Sequence, residues 1–211
     1  MSATPESYLN STFEESLAIK QVFFKENFDA MITGSKTIAH SVTHGGKLLI
    51  FGNGGSAADA QHTAAEMVGR MLIDRRPLPA IALTTDTSNL TAIGNDFGYD
   101  MVFLKQVQAL ARKEDVILAI STSGNSKNVI LAVEEAKRIG AKVITLTGGT
   151  GGKLKALADV SINVSTGTNS SRIQESHIFA LHSLVDLMDR FFLDDSASTS
   201  ERHLLKGIDQ K

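Results

Sequence analysis

Two ionisable side chains, His62 and Glu66, stand four positions apart in a segment rich in alanine. Residues four apart share one face of an α-helix, so both side chains, with Arg70 one turn further on, are expected to form a polar stripe near the ligand end of the domain. An imidazole and a carboxylate on one face can transfer protons or bind a metal ion. Taken alone, the spacing favours a solvent-exposed ion pair, because it is common by chance.

A second set of polar side chains interrupts an apolar helical pattern near the C-terminus. At 100° per residue, His177 lies roughly 60° to one side of Gln174, and His182 roughly 80° to the other. The two histidines therefore cannot both face one site, and helical geometry leaves open which of them does. Leu181 and Val185 flank His182 along the helix, which indicates a buried face, and a buried histidine is more often a core residue than a ligand.

The two helices could nevertheless cooperate in binding a metal ion. Each offers a histidine together with a carboxylate or an amide, a set that suits a borderline divalent metal such as zinc. The spacing of the residues alone does not establish such a site. The chain has no cysteine, which excludes disulfides, thiolate catalysis and cysteine-based zinc sites.

A hydroxyl-rich segment, Ser121-Thr122-Ser123-Gly124-Asn125-Ser126, follows an apolar run and precedes a helical pattern. The N-terminus of a helix offers unpaired backbone N–H groups and a partial positive charge. Combined with four hydroxyls, these groups suit a phosphate monoester. Capping of the helix would need only one hydroxyl, so the segment favours a ligand. It lacks the Gly-Lys-Ser/Thr ending of a nucleotide P-loop.

Two other predicted strand ends are rich in glycine. The segment 52–57 is either a tight turn or a turn that brings Asn53 and Ser56 to a polar ligand. It loosely matches the dinucleotide-binding fingerprint, but the acidic residue expected about 20 residues on is represented only by Asp86, 29 residues after Ala57. The segment 147–152 lacks a distinctive chemical group and is interpreted mainly as a turn.

Apolar runs alternate with helical patterns from Lys47 onward, which predicts an α/β fold: a parallel sheet covered by helices on both faces. We expect five strands, at residues 48–51, 80–85, 115–121, 142–147 and 160–164. Helical patterns occupy residues 56–71, 88–111, 126–139, 152–158 and 170–193, and Gly140 is a candidate C-cap. Residues 6–44 are predicted to form two helices that pack on the core or on another subunit. The chain thus divides into an N-terminal helical arm (1–45), an α/β domain (46–193) and a polar tail (194–211).

Composition narrows the functional classes further. Of 211 residues, 42% are hydrophobic and 21% charged, and the formal net charge is −2. The basic residues are scattered, which argues against a nucleic-acid partner. The N-terminus lacks the apolar segment of a signal peptide, and no apolar run approaches the roughly 18 residues that a membrane helix needs. A cytoplasmic protein without a membrane partner is therefore expected.

Five segments closely resemble the sedoheptulose 7-phosphate isomerases, or phosphoheptose isomerases, of the sugar-isomerase (SIS) domain group. In order and spacing they are FGNGGSAADAQHTAAEMVGR, AIGNDFGYD, ISTSGNSKNVI, KVITLTGGTGGKL and RIQESHIFALH. The resemblance covers roughly residues 45–192, and the helical arm before it also fits. It implies a five-stranded, flavodoxin-like or Rossmann-like SIS sheet, and a homotetramer with active sites between subunits.

The resemblance also implies roles for individual residues. The residues that would hold the substrate phosphate are Ser121, Thr122, Ser123 and Ser126. Those that would contact the rest of the substrate are Asn53, Gly54, Gly55, Ser56, Glu66, Asn95, Asp96 and Gln174. The ligands of one zinc ion per subunit would be His62, Glu66, Gln174 and His182, a set that selects His182 over His177. Glu66 would be the general base and His182 the general acid.

The implied reaction converts sedoheptulose 7-phosphate into D-glycero-D-manno-heptose 7-phosphate through a cis-enediol, at the start of the route to nucleotide-activated heptose for lipopolysaccharide. A carboxylate can remove the carbon-bound proton, and an imidazole can serve the oxygens. A metal ion would polarise the carbonyl or organise these side chains. Ser171 departs from the pattern, because many family members have an acidic residue there, and a serine cannot replace a carboxylate as a base.

Three alternatives compete with the isomerase. Close relatives within the SIS group bind a bacterial replication initiator and lack the catalytic carboxylate, and other SIS domains only sense a sugar phosphate. The presence of Glu66 and His182 favours the enzyme over both. A dinucleotide-dependent oxidoreductase is disfavoured by the hydroxyl-rich segment.

Overall fold

The computed structural model of the chain describes residues 4–167 and 169–196. The strands within these residues are β1 (Leu48–Gly52), β2 (Ala80–Ala82), β3 (Val116–Ser121), β4 (Lys142–Gly148) and β5 (Val160–Val164). The helices are α1 (Pro5–Thr43), α2 (Gly55–Val68), α3 (Thr87–Phe97), α4 (Val102–Leu110), α5 (Lys127–Ile139), α6 (Gly152–Leu157) and α7 (Ser170–Ser196), with a 3₁₀ turn at Tyr99–Met101.

The five strands of the described residues form one parallel sheet in the order β2-β1-β3-β4-β5. This confirms the predicted five-stranded parallel sheet. The chain runs outward from β1 to β2 and then returns to the other side of β1, so the strand order reverses between β1 and β3. Ligands of open α/β sheets bind outside the carboxyl ends of the strands at such a point. The loops that follow β1 and β3 are the two that the sequence singles out.

The central strands β1, β3 and β4 are buried on both faces, as mainly apolar strands require. Side chains alternate along β1: Leu48 and Ile50 join a core covered by α1, α2 and α7, whereas Leu49 and Phe51 join a core covered by α4, α5 and α6. Every residue of β1 and β3 is buried. The sheet therefore provides a rigid base for the loops at its carboxyl edge.

The N-terminal arm is one continuous helix of 39 residues, so the prediction of two helices is wrong. Its buried face recurs every three or four residues without a break, through Ser16, Ile19, Phe23, Asn27, Met31, Ser35, Ile38 and Val42. Several of these residues are polar, which is why the pattern of apolar residues did not reveal the continuity. Gly34 allows close approach to the core, since a Cβ there would press on Leu184.

Other boundaries differ from the prediction by a few residues. The second strand is shorter than expected, and the region 88–111 divides into α3, the 3₁₀ turn and α4. Gly140 adopts the left-handed conformation (φ 93°) and ends α5, which confirms the predicted C-cap. The last helix continues to Ser196, and residues 197–211 of the expected tail lie outside the described residues. In the described part of the chain, no helix combines the length and apolar character needed to cross a membrane.

Candidate active site

The hydroxyl-rich segment lies at the carboxyl end of β3 and leads into α5. Ser121 is buried, Thr122 and Ser126 are half-buried, and Ser123 is exposed. The hydroxyls of Ser121 and Ser126 lie 3.0 Å apart, and the Ser123 hydroxyl accepts a hydrogen bond from the backbone N–H of Asn125 at 3.1 Å. Ser126 is the N-cap residue of α5, but its side chain makes no capping hydrogen bond within the described residues. Capping therefore does not occupy this hydroxyl, which lies beside that of Ser121.

The glycine-rich loop after β4 packs against the hydroxyl-rich segment and is hydrogen-bonded to it. Gly124 has a positive φ (65°), and a Cβ there would overlap the backbone carbonyl of Gly151. The Gly124 carbonyl accepts a hydrogen bond from the Leu154 N–H at 3.1 Å, and the Asn125 side chain accepts one from the Lys153 N–H at 3.1 Å. The segment 147–152 is thus a turn, and it also holds the hydroxyl-rich segment in place.

The loop after β1 is joined to α5 by a reciprocal pair of amides. Asn53 and Asn128 each donate to the other's carbonyl oxygen at 2.9 Å. Asn128 is only 4% exposed, and sequence analysis missed it. The sequence feature that could have identified Asn128 is its position: it is an amide in the first turn of the predicted helix, two residues after Ser126. The pair fixes the distance between the two loops and orients Asn53, a predicted substrate contact.

Of the other predicted residues of the β1 loop, Gly55 lies against α7. Ser56 is buried, and a Cβ on Gly55 would overlap the side-chain amide of Gln174. Gly54 is the N-cap residue of α2. Asp86 does not supply the acidic residue that the dinucleotide-binding fingerprint requires. The Asp86 carboxylate instead caps α3 by accepting a hydrogen bond from the Asn89 N–H at 2.9 Å. The loop therefore contacts the C-terminal helix and offers no ribose-binding acid.

Three predicted site residues meet on the outer surface of α2 and α7. Within the described residues, His62, Glu66 and His182 each offer one donor atom, and these atoms lie within 4.8 Å of one another. The Nε2 atoms of His62 and His182 are 2.9 Å apart, and His62 Nε2 lies 3.5 Å from Glu66 Oε1. The imidazoles are exposed and the carboxylate is half-buried. We call these three residues the acid–base cluster.

The geometry of the acid–base cluster suits a divalent metal ion. A tetrahedral zinc ion with bonds of 2.0–2.1 Å separates its ligand atoms by about 3.4 Å. Two of the three separations in the cluster, 2.9 and 3.5 Å, bracket this value, and the third is at most 4.8 Å. Two imidazoles and a carboxylate also form a donor set that zinc accepts, and three protein ligands leave a position open to substrate. The cluster could therefore hold a metal ion with little movement.

His62 and Glu66 share one face of α2, as their spacing predicts. They lie seven and eleven residues beyond Gly55, which corresponds to about 10 and 16 Å of helix rise. The position of this polar stripe near the ligand end stays a prediction. Arg70 does not belong to the stripe, because α2 ends at Val68 and Arg70 pairs with Asp74 at 3.8 Å.

His177 and His182 have opposite environments on α7. His177 is fully buried, and its Nε2–H donates to the backbone carbonyl of Thr147 at 3.0 Å. Its Nδ1 is buried without a partner among the described residues. Burial disfavours the imidazolium and lowers the pKa of His177 to about 4. Of the two histidines that the helical geometry left open, the structure brings only His182 to the acid–base cluster.

The buried His177 predicts a pH dependence of stability. Its folded pKa is below the ordinary value of 6.5, so protons bind preferentially to the unfolded chain as the pH falls below that value. Between pH 7 and pH 5, this residue should lower the free energy of unfolding by about 2 kcal/mol. Urea titrations at both pH values should show a smaller loss in His177→Gln than in the unmodified protein. Equal losses in both proteins would contradict a neutral, buried imidazole.

Asn95 and Asp96 lie near the C-terminal end of α3. Both are exposed, and the Asn95 amide donates to the Asp96 carboxylate at 2.8 Å. No residue of α3 is buried within the described part of the chain. The predicted contact of these residues with the substrate stays a prediction.

The sequence and fold match known proteins over most of their length. The family model described as the SIS domain matches residues 12–148. The phosphoheptose isomerase of Helicobacter pylori is 50% identical over 182 residues, which are 85% of this chain and 94% of the relative. The phosphoheptose isomerase of Campylobacter concisus is 46% identical over 187 residues, or 87% and 98% of the two chains.

The solved structure of phosphoheptose isomerase GmhA from Neisseria gonorrhoeae superimposes with a TM-score of 0.84 at 47% identity, covering 89% of this chain and 100% of that one. The match covers nearly the whole of both relatives and of the solved structure. The chain therefore belongs to the SIS domain family and, within it, to the phosphoheptose isomerases.

Proposed function

We propose that this chain is an aldose–ketose isomerase that converts sedoheptulose 7-phosphate into D-glycero-D-manno-heptose 7-phosphate. The observation that carries the proposal is the acid–base cluster, which assembles a carboxylate and two imidazoles on a chain of this family. The direct test is product formation by the purified protein, with the aldose identified by NMR. The chain retains the carboxylate and imidazole that a non-catalytic SIS protein would not need, so binding to a replication initiator or sensing of a sugar phosphate is not favoured.

The reaction moves one hydrogen from C1 to C2 and one from O1 to O2. In this scheme Glu66 removes a proton from C1 of the ketose while His182 donates one to O2, which gives the cis-enediol. Glu66 then returns a proton to C2 as His182 takes the proton from O1, which gives the aldose. A carboxylate and an imidazole within a few ångströms of each other can serve the two carbons and the two oxygens in this way.

The same residues would hold zinc. His62, Glu66 and His182 are the ligands that the geometry supports, and the predicted fourth ligand, Gln174, has its amide against Gly55. When bound, the ion would polarise the substrate's carbonyl and hydroxyl oxygens. A carboxylate has two oxygens and an imidazole has two ring nitrogens, so Glu66 and His182 can each bind the ion through one atom and exchange a proton at the other.

The phosphate would lie in the hydroxyl-rich segment, against Ser121, Thr122, Ser123 and Ser126. Asn53, Gly54, Gly55, Ser56, Asn95 and Asp96 would contact the carbon chain. The segment follows β3, whereas the acid–base cluster lies on α2 and α7, so the two ends of the substrate would contact different elements of the fold. A seven-carbon sugar phosphate has its phosphate and its carbonyl at opposite ends, which supports this assignment.

Self-association would complete the site, as a homotetramer with active sites between subunits. Supporting this, α1 exposes large apolar side chains that a monomer would leave in water, among them Tyr8, Leu9, Phe13, Phe24 and Phe28. The exposed acid–base cluster is also open to a second subunit. A cytoplasmic location and a role in supplying heptose for lipopolysaccharide accompany the proposal, because the substrate is a phosphorylated metabolite.

Ser123→Ala should raise KM for the sugar phosphate about tenfold, with a smaller change in kcat. A hydrogen bond to a charged group contributes about 1.5–3 kcal/mol, and the Ser123 hydroxyl is the exposed one of the segment. Steady-state kinetics would measure this. The matched control is Thr37→Ala, which removes a hydroxyl bonded to its own helix at the Thr33 carbonyl. An unchanged KM in Ser123→Ala would contradict the phosphate site.

A further inference from the structure

A buried ion pair joins the two helices that carry the acid–base cluster. The Nε of Arg75 donates to Oδ1 of Asp189 at 2.7 Å, and each side chain is 1% exposed. Arg75 lies in the connection between α2 and β2, and Asp189 lies on α7. Asp189 stands seven residues, two helical turns, after His182, so both side chains project from nearly the same face of α7.

The same guanidinium binds the C-terminal end of α2. It donates to three backbone carbonyls there: Glu66 at 2.9 Å, Met67 at 2.8 Å and Gly69 at 2.9 Å. The last carbonyls of a helix have no partner within the helix, and a cation near them is favourable. One of these carbonyls belongs to Glu66 itself. Arg75 therefore fixes the backbone of the proposed base and, through Asp189, its distance from α7.

We propose that Arg75, with Asp189, is a positioning residue that sets the separation of His62 and Glu66 from His182. The inference rests on the proposed function, in which the acid–base cluster acts on the sugar. Packing of apolar side chains could hold α2 near α7 in many slightly different registers. A planar guanidinium with fixed N–H directions selects one of them. The substrate phosphate site lies on β3 and α5 and makes no use of this pair.

The test uses Arg75→Met combined with Asp189→Leu in the full-length protein. Removing one partner alone would leave an unpaired buried charge and could unfold the chain, whereas apolar replacement of both partners is often tolerated. The control is Lys47→Met, which breaks another partly buried ion pair: Lys47 Nζ lies 2.6 Å from Asp115, at the opposite edge of the sheet from the β1 and β3 loops. The single change suffices here, because the Asp115 carboxylate keeps hydrogen bonds from the backbone N–H groups of Lys47 and Arg112. Thermal unfolding of both variants measures how much each loses in stability.

The double variant should lose on the order of 100-fold in kcat with KM within about threefold, because a displacement of about 1 Å in reacting groups has that effect. Its affinity for Co²⁺, added alone, should fall about 10- to 100-fold, as when groups supporting metal ligands are removed. Lys47→Met should keep kcat, KM and Co²⁺ affinity at a comparable loss of stability.

A crystal structure of the double variant supplies a readout that depends on neither turnover nor metal binding. The Nε2 atoms of His62 and His182 are 2.9 Å apart in the unmodified protein, and this distance should increase by about 1 Å in the double variant. If the unmodified protein fails to convert the sugar phosphate, the proposed function is refuted. The distance between the two Nε2 atoms still tests the positioning role of Arg75 and Asp189. An unchanged separation in the folded double variant would overturn that role, whatever the activity.

Discussion

Glu66→Gln is expected to lower kcat by about a thousandfold, the middle of the range for removal of a general acid–base group. The amide keeps the size of the side chain and its reach toward His62, but it cannot accept the proton from C1. Glu66 is half-buried, with its backbone carbonyl bound by Arg75, so the helix should be unaffected. Steady-state kinetics on sedoheptulose 7-phosphate, with saturating metal, would measure the effect.

The control for this variant is Glu134→Gln, which removes one carboxylate from the exposed surface of α5. It should match the unmodified protein in kcat and KM. Phosphate binding should persist in Glu66→Gln, because the hydroxyl-rich segment lies between β3 and α5, whereas Glu66 lies on α2. Turnover near the unmodified rate in Glu66→Gln would remove this residue from the role of base.

His182→Gln is expected to lower kcat by about 100- to 10,000-fold, since it removes both the proposed acid and a metal ligand. Affinity for zinc should fall in the same variant, because the amide is a much weaker ligand than the imidazole that lies 2.9 Å from His62. Kinetics and a zinc competition titration would measure the two effects separately.

His177→Gln is the matched control, five residues earlier on the same helix. Its imidazole is buried against the Thr147 carbonyl and contacts no member of the acid–base cluster within the described residues. The folded fraction of this variant should keep its kcat and zinc affinity even where its stability is lower. If His177→Gln lost activity while His182→Gln kept it, the assignment of the two histidines would be reversed.

The sheet was predictable because its strands are short, mainly apolar and separated by helical patterns. Burial on both faces leaves few other residue types possible, so β1, β3, β4 and β5 end within a residue of their expected bounds. The arm was not predictable in the same way. Its buried positions include Ser16, Asn27 and Ser35, whereas Phe13 and Phe28 are exposed, so burial there depends on contacts with other elements and not on polarity.

The site was predictable in its parts but not in its assembly. Residue spacing placed His62 and Glu66 on one helix face, and the hydroxyl-rich segment at a strand end. It could not choose between His177 and His182, because that choice depends on where α7 lies against α2. It also missed Asn128 and Asp189, whose roles depend on partners 75 and 114 residues away in sequence.

The most direct test of the central claim is a coupled assay of the purified protein on sedoheptulose 7-phosphate, after chelation and again after addition of zinc. The acid–base cluster predicts turnover that chelation abolishes and zinc restores, with D-glycero-D-manno-heptose 7-phosphate as the product. Absence of turnover in both conditions, in a folded protein that still binds the sugar phosphate, would contradict the account and identify a non-catalytic SIS protein.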